Sequence, residues 1–540
     1  MPDAPACFMR MLAGGACAML QNSLITWGPL TWAPCPPPFA LAFSMSSSAA
    51  PSSHELCDTS SVWYDRRLGQ IVLRAQAHAP RRFALVRAPA ARLAAGYAAL
   101  RRAGELQDYA DINAFCADLW KHLAHPFFAP QHRFVCGEGG AALCPWVREG
   151  DEDAAAALQR EGMQPFALTA ANPSDPSPQE EAALTQESLA RIAEAYHRDF
   201  DLFGYARPAA ATQMLRVLDA VADAHRKDSR GPALVFWSER FRDVYRLWRA
   251  RHDAFSTRPV VAIYVGRGQD EPTPPRRGPH AGLAMHLLPP PPQAQLSRSA
   301  APLHLKHLWR LRMDVFFLLM VNAYDFVHFD ADAFVLKPYD WLIARQRAPF
   351  LFSYGSLPKK IRDVMGFAGC CGFFAVRSAR VPLSDAIAIR EFCWQQWNDQ
   401  VAFNRFFLER RRYVLVPSQH CGLTPFSPYP PPAGDLSKDM MARRKKFWNS
   451  WGAQLYDGEH GLLAEILPLA LVARAAKDSN PDRAYIWHIK RFRYHPGGAK
   501  SASQWQRMLA LTPRWQFWLR RVWLRLRAAR KRQSPADSLS

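Results

Sequence analysis

Six consecutive residues, Val260-Val261-Ala262-Ile263-Tyr264-Val265, carry no charge. An uninterrupted apolar run of this length reads as a strand buried on both faces, which is how strands of parallel sheets are found. Its neighbours in sequence fit that setting. Ala233-Leu234-Val235-Phe236-Trp237 is a second apolar strand, and Phe326-Val327-His328-Phe329 a third. Between them, Glu239–His252 places Phe241, Val244, Tyr245 and Trp248 at helical spacing, and His304–Val321 reads as a strong helix. Strands alternating with helices imply an α/β fold with a mixed, mostly parallel sheet and helices on both faces.

Composition sets the outer limits. The chain has 540 residues, 49% hydrophobic and 21% charged, which excludes wholesale disorder and a fibrous protein. Its length suggests two to four domains. No stretch of about 18 or more apolar residues occurs, so a multi-span membrane protein is excluded. Lys and Arg number 68 against 47 Asp and Glu, a net +21 that favours polyanionic partners or phosphate-bearing cofactors. The 11 cysteines include no Cys-x-x-Cys pair, which argues against a zinc module. Adjacent Cys370 and Cys371 are expected to be small buried hydrophobes rather than a redox pair. Residues 1–60, rich in Pro, Ser and Ala, read as a disordered leader or linker. Arg10 followed by Met11–Leu20 is either the apolar part of a signal peptide or poor anchor, or simply part of that leader. Residues 61–206 form a first domain. A short strand Phe83–Val86 leads through Pro89 to an amphipathic helix ending near Arg102. Further helices are predicted at Asp111–Leu123 and, as one long element, Glu180–Phe200 ending near Gly204. The second domain spans 208–505, with a Pro/Gly/Arg-rich flexible insert at 268–301.

The sharpest chemical feature is Asp330-Ala331-Asp332, reached directly from the apolar strand Phe326–Phe329. In open α/β sheets ligands bind beyond the carboxyl ends of strands, which is where these two carboxylates fall. Residues i and i+2 of an extended strand point the same way, so both can converge on one cation. Hard divalent ions such as Mn²⁺ or Mg²⁺ favour such oxygen ligands and commonly bridge to phosphate. The plain alternative is a surface turn.

Several segments, in order, resemble the nucleotide-sugar-dependent glycosyltransferases of the GT-A fold, most of all the glycogenin-like and plant arabinosyl/xylosyltransferase-like groups. They are the helix Leu305-Lys306-His307-Leu308-Trp309-Arg310-Leu311-Arg312, the strand led by Tyr324, the Asp330-Ala331-Asp332 motif with Lys337-Pro338, the element Gly372-Phe373-Phe374-Ala375-Val376-Arg377-Ser378, and Asn398-Asp399-Gln400-Val401-Ala402-Phe403-Asn404. The resemblance covers about residues 230–500. It implies a Rossmann-like GT-A core, a nucleotide diphosphate sugar as donor, a glycan or glycoprotein as acceptor, and retention of anomeric configuration. It implies that Asp330 and Asp332 bind Mn²⁺ (or Mg²⁺), with a later histidine as third ligand. His488 and His495 are the two candidates, and His488, at a strand end, is preferred. Lys306, Arg310, Gly372 and Lys500 are the candidates to contact the donor. Asp399 either assists the reaction, by orienting the acceptor or aiding departure, or is a structural charge at a helix N-terminus. Cys370-Cys371 stand where the family often has a hydrogen-bonding side chain. A Golgi or other secretory-pathway membrane setting is the expected location.

The first domain carries a second resemblance. Phe83–Tyr97, with Arg87-Ala88-Pro89 and Arg92, is similar to the 3′-phosphate-binding element of carbohydrate sulfotransferases, which implies that Arg87 binds phosphate. The family's serine falls at Ala95 and no phosphosulfate loop is found upstream. A truncated, inactive sulfotransferase-like domain, α/β or mostly helical, is therefore expected. Residues 506–540 place Trp515, Trp518, Leu519, Val522, Trp523 and Leu526 at helical spacing among arginines. That tail is expected to be an amphipathic basic helix, lying on an anionic membrane or packing on the second domain; nucleic acid is not an expected partner. The rival readings are a sulfotransferase-related protein and a membrane-associated pseudoenzyme scaffold.

Overall fold

The computed structural model describes residues 62–65, 70–73, 82–137, 142–143, 146–148, 177–210, 212–266, 283–287, 303–355, 358–365, 367–409, 413–417, 451–457, 461–474 and 484–488. The leader at 1–60, the tail at 506–540, His495 and Lys500 lie outside them. The chain divides into two compact units, Met1–Pro208 and Ala209–Ser540.

In the first unit, strands β1 (Val62–Asp65), β2 (Gln70–Leu73), β3 (Arg82–Val86) and β4 (Trp146–Arg148) form a sheet in that order. The expected strand, turn and helix appear as β3, Arg87-Ala88 and α1 (Pro89–Arg102), with Pro at the first helical position, where its missing N–H costs nothing. Two predicted helices are interrupted. Asp111–Leu123 becomes α2 (Ile112–Ala117) and α3 (Leu119–His122), and the chain continues to α4 (His132–Val135). The long helix becomes α5 (Ser177–Ala182), α6 (Gln186–Ala195) and α7 (His197–Phe203). Thr185 explains one break: its side chain accepts a hydrogen bond from Ser188 N, so it caps a new helix rather than continuing the old one. Gly204 ends α7 in the left-handed conformation, as expected.

The second unit holds α8 (Gln213–Lys227), β5 (Ala233–Trp237), α9 (Arg242–Phe255), β6 (Val260–Gly266), β7 (Leu283–His286), α10 (Leu303–Val321), β8 (Phe326–Asp330), β9 (Ala333–Val335), α11 (Asp340–Ala344), β10 (Phe350–Gly355), α12 (Lys359–Met365), β11 (Ala368–Val376), α13 (Leu383–Gln396), α14 (Asp399–Glu409), β12 (Tyr413–Pro417), β13 (Trp451–Asp457), β14 (Gly461–Leu467), β15 (Val472–Ala473) and β16 (Ile486–His488). Among the described residues the large sheet has nine strands in the order β12-β13-β14-β10-β11-β8-β5-β6-β7. It is mixed. β8, β5, β6 and β7 run parallel, as does the β10–β14 pair, while β11 lies antiparallel to both β8 and β10. β7 falls inside the stretch expected to be a flexible insert: Leu283-Ala284-Met285-His286 is apolar enough to add an edge strand.

Both faces are covered. On one, Phe329 packs against Trp248 of α9 and against Tyr339 and Phe373. On the other, Phe316 of α10 packs on Phe236, Phe326 and Phe374, and Phe403 of α14 on Phe352 and Phe374. Every residue of β5 is buried, which accounts for its unbroken apolar sequence. Gly231, at φ +78°, lets the chain enter β5 beside β8: a Cβ there would lie 1.9 Å from the Asp325 carbonyl oxygen. A small sheet, β15-β16-β9, flanks the large one and takes β9 straight after the Asp-Ala-Asp turn.

Candidate metal centre

Asp330 is the last residue of β8, and Ala331-Asp332 form the turn into β9. The carboxylates therefore do not lie i and i+2 on one extended strand. The chain has to leave the large sheet for the small one at this point, and the turn that does so brings the two side chains together. β16 pairs antiparallel with β9, with His488 opposite Ala333. This pairing carries the imidazole in: His488 Nε2 is 3.6 Å from Asp330 Oδ2 and 3.4 Å from Asp332 Oδ1. One ligand atom from each of the three lies within 4.8 Å of the others, and His488 is buried while the aspartates are partly exposed. His488 is thus placed with the pair; the other candidate, His495, lies outside the described residues.

Gly372 of β11 makes room for that ring. A Cβ on it would stand 2.1 Å from His488 Cε1 and 2.4 Å from Nδ1. Cys370, two residues earlier on the same strand, sets its Sγ 3.5 Å from His488 Nδ1. Cys370 and Cys371 are both buried and both free cysteines, but Cys370, expected to be a small buried hydrophobe, instead makes this polar contact.

Behind Asp330 stands an arginine that the sequence reading did not single out. Arg312 of α10 donates from Nη1 to Asp330 Oδ1 at 2.6 Å and from Nε to Asp399 Oδ2 at 2.8 Å; its Nη2 also donates to Asp399. Asp399 Oδ1 accepts from Gln400 N, at the start of α14. Asp399 is thus engaged by Arg312 and by its own helix end. The rest of its motif ties α14 to β11. Gln400 Oε1 accepts from Cys371 N, and Asn404 both accepts from Gly369 N and donates to Gly369 O. Arg310, two residues from Arg312 and so on another side of α10, lies with its guanidinium carbon 3.2 Å from the Trp394 ring centre and 5.0 Å from that of Trp397. Lys306 is buried on the same helix. A signal for Arg312 was present: it is the last cation of a helix that, apart from Asp314, runs apolar from Met313 to Val321.

The electrostatics favour a cation. Asp330 and Asp399 share the Arg312 guanidinium, while Asp332 faces the His488 imidazole, so three carboxylates gather against two cationic groups. Burial works to raise the Asp330 carboxyl, yet Arg312 and His328 beside it hold it well below the usual carboxylate range. Burial works to lower His488, but the Cys370 sulfur and the Asp332 carboxylate overcome this and raise the imidazole to about 10. For Cys370 the opposite balance holds: burial pushes the thiol up, while Arg474 and His488 bring it down to about 6. Two carboxylates and one imidazole make a donor set able to hold a divalent cation.

In the first unit Arg87 sits in the turn between β3 and α1, its backbone N–H donating to Gln131 Oε1. Arg92 ties α1 to the following loop through the carbonyls of Ala129 and Pro126. A buried pair, His132 Nδ1 to Asp199 Oδ1 at 2.6 Å, joins α4 to α7. Among the described residues no helix is long and apolar enough to cross a membrane. No protein-family model matches the chain, and no curated protein is significantly similar to it.

Proposed function

We propose that the second unit is a metal-dependent glycosyltransferase of GT-A type, moving a sugar from a nucleotide diphosphate sugar to a glycan or glycoprotein hydroxyl with retention of configuration. The observation that carries this reading is the convergence of Asp330, Asp332 and His488 at the carboxyl end of a parallel strand. These three would hold Mn²⁺ or Mg²⁺, which when bound supplies positive charge to a departing diphosphate. Arg312 keeps Asp330 ionised and aimed, and Asp399 holds Arg312 in place. Asp399 is on this account a positioning residue. The ordered segments that resemble GT-A enzymes support the donor class, and the same resemblance suggests secretory-pathway membranes as the setting.

The test is release of nucleoside diphosphate from a panel of nucleotide sugars by the full chain with Mn²⁺. One or more donors should be turned over, and Asp332→Ala or a chelator should abolish the signal. Turnover unchanged in Asp332→Ala would refute the assignment of the pair. If Mn²⁺ with nucleoside diphosphates fails even to raise the melting temperature, a scaffold without activity becomes the better reading.

A further inference from the structure

His488 has two ring nitrogens, and its surroundings divide their work. Nε2 faces the Asp330 and Asp332 carboxylates. Nδ1 faces the Cys370 sulfur at 3.5 Å, a sulfur whose residue is 1% exposed. For Nε2 to offer its lone pair to a cation, the ring proton must sit on Nδ1 and needs an acceptor there. We propose that Cys370 is that acceptor: a positioning residue that fixes the tautomer and orientation of His488, and so turns Nε2 toward the two carboxylates.

The proposal rests on the reading of the triad as a divalent-cation site. It adds why two neighbouring positions of one strand are what they are. Gly372 clears space for the ring, since any Cβ would stand within 2.1 Å of it, and Cys370 then holds the ring that fills that space. β11, which carries both residues, pairs with β8, which carries Asp330, whereas His488 arrives from the small sheet. The sulfur contact thus links the third ligand to the strand next to the first. Metal-bound histidines generally donate their second N–H to an outer partner, and loss of that partner typically weakens metal binding by about 10–100-fold. A residue placed where the family often has a hydrogen-bonding side chain therefore still makes a polar contact, through sulfur.

The experiment is calorimetric titration of the full chain with Mn²⁺ alone, for wild type, Cys370→Ala, Cys370→Ser, Cys370→Val and Asp332→Ala. Melting in chelator checks folding of each. Cys370→Ala and Cys370→Val should bind Mn²⁺ about tenfold more weakly or worse, while Cys370→Ser, which keeps an acceptor, should stay within about threefold of wild type. Mn²⁺ affinity unchanged in the folded Ala or Val variant, with binding lost in Asp332→Ala, would leave the triad standing and overturn the role of Cys370. Equal weakening by Ser and Ala would also overturn it, because packing and not hydrogen bonding would then be at stake. Absence of Mn²⁺ binding by wild type would defeat the underlying metal reading itself.

Discussion

Gly372→Ala is the most exacting perturbation of the candidate centre. The added methyl carbon would lie 2.1 Å from Cε1, 2.4 Å from Nδ1 and 2.6 Å from Nε2 of His488, where ordinary contact begins near 3.4 Å. The imidazole would have to retreat by more than an ångström. It hangs from β16, whose backbone is fixed by pairing with both β9 and β15, so the ring cannot follow cheaply. Two consequences follow. Overpacking of this kind costs about 1–3 kcal/mol of stability. Divalent-ion bonds of about 2.0–2.1 Å, as for Mg²⁺, do not survive displacements of that size, so metal affinity should fall by far more than stability does. The assay is a double-mutant cycle by denaturant unfolding, paired with Mn²⁺ titration. Gly372→Ala alone should show the full destabilisation. In a His488→Ala background the same substitution should cost less than about 0.5 kcal/mol, because the group it strikes is gone. An equal cost in both backgrounds, or undiminished Mn²⁺ affinity in the single variant, would refute the reasoning.

Three further outcomes are expected. Arg312→Met strands the buried Asp399 carboxylate and removes the partner of Asp330, so it should destabilise by about 3–5 kcal/mol in denaturant unfolding. Because Asp330 is held below its ordinary value of 3.8, it contributes stability present above about pH 4 and lost on acidification; the variant should show a shallower acid decline, and an unchanged one would contradict the pairing. With His488 raised to about 10, Mn²⁺ must displace its proton at neutral pH. Affinity should therefore rise about tenfold per pH unit between about 7 and 9, with one proton released per ion in calorimetry across buffers; a flat profile would contradict ligation by His488. In the first unit, burial pushes His132 down from 6.5 to about 4, so its stabilising effect is present above about pH 6.5 and lost as pH falls toward 4. Hydrogen exchange in α6 and α7 should show about 2 kcal/mol less protection at pH 5 than at pH 7.5, and equal protection would count against a neutral buried imidazole.

The core of the second unit was legible because its strands are buried on both faces: Ala233–Trp237 and Val260–Val265 admit no other comfortable placement. The first unit was less so. Asp111–Leu123 and Glu180–Phe200 keep helical spacing through breaks that depend on local events, such as the Thr185 hydroxyl taking a backbone N–H. β7 was hidden among prolines and glycines. At the candidate centre, Asp330, Asp332 and His488 could be named because each lies at or just beyond the end of an apolar strand. What brings them together, the pairing of β16 with β9, joins residues about 150 apart and leaves no local trace. Arg310 attracted notice over Arg312 because basic residues spaced along a helix look alike in sequence. Only packing on Trp394 and Trp397, against ion pairs with Asp330 and Asp399, separates them.

The account stands on one cation held by two carboxylates and one imidazole. Pulsed electron paramagnetic resonance on the full chain with one equivalent of Mn²⁺ reads this directly. A bound ion should show modulation from a single imidazole nitrogen, lost in His488→Ala, and should be released altogether in Asp332→Ala. A spectrum of fully hydrated Mn²⁺, or nitrogen modulation that persists without His488, would contradict it.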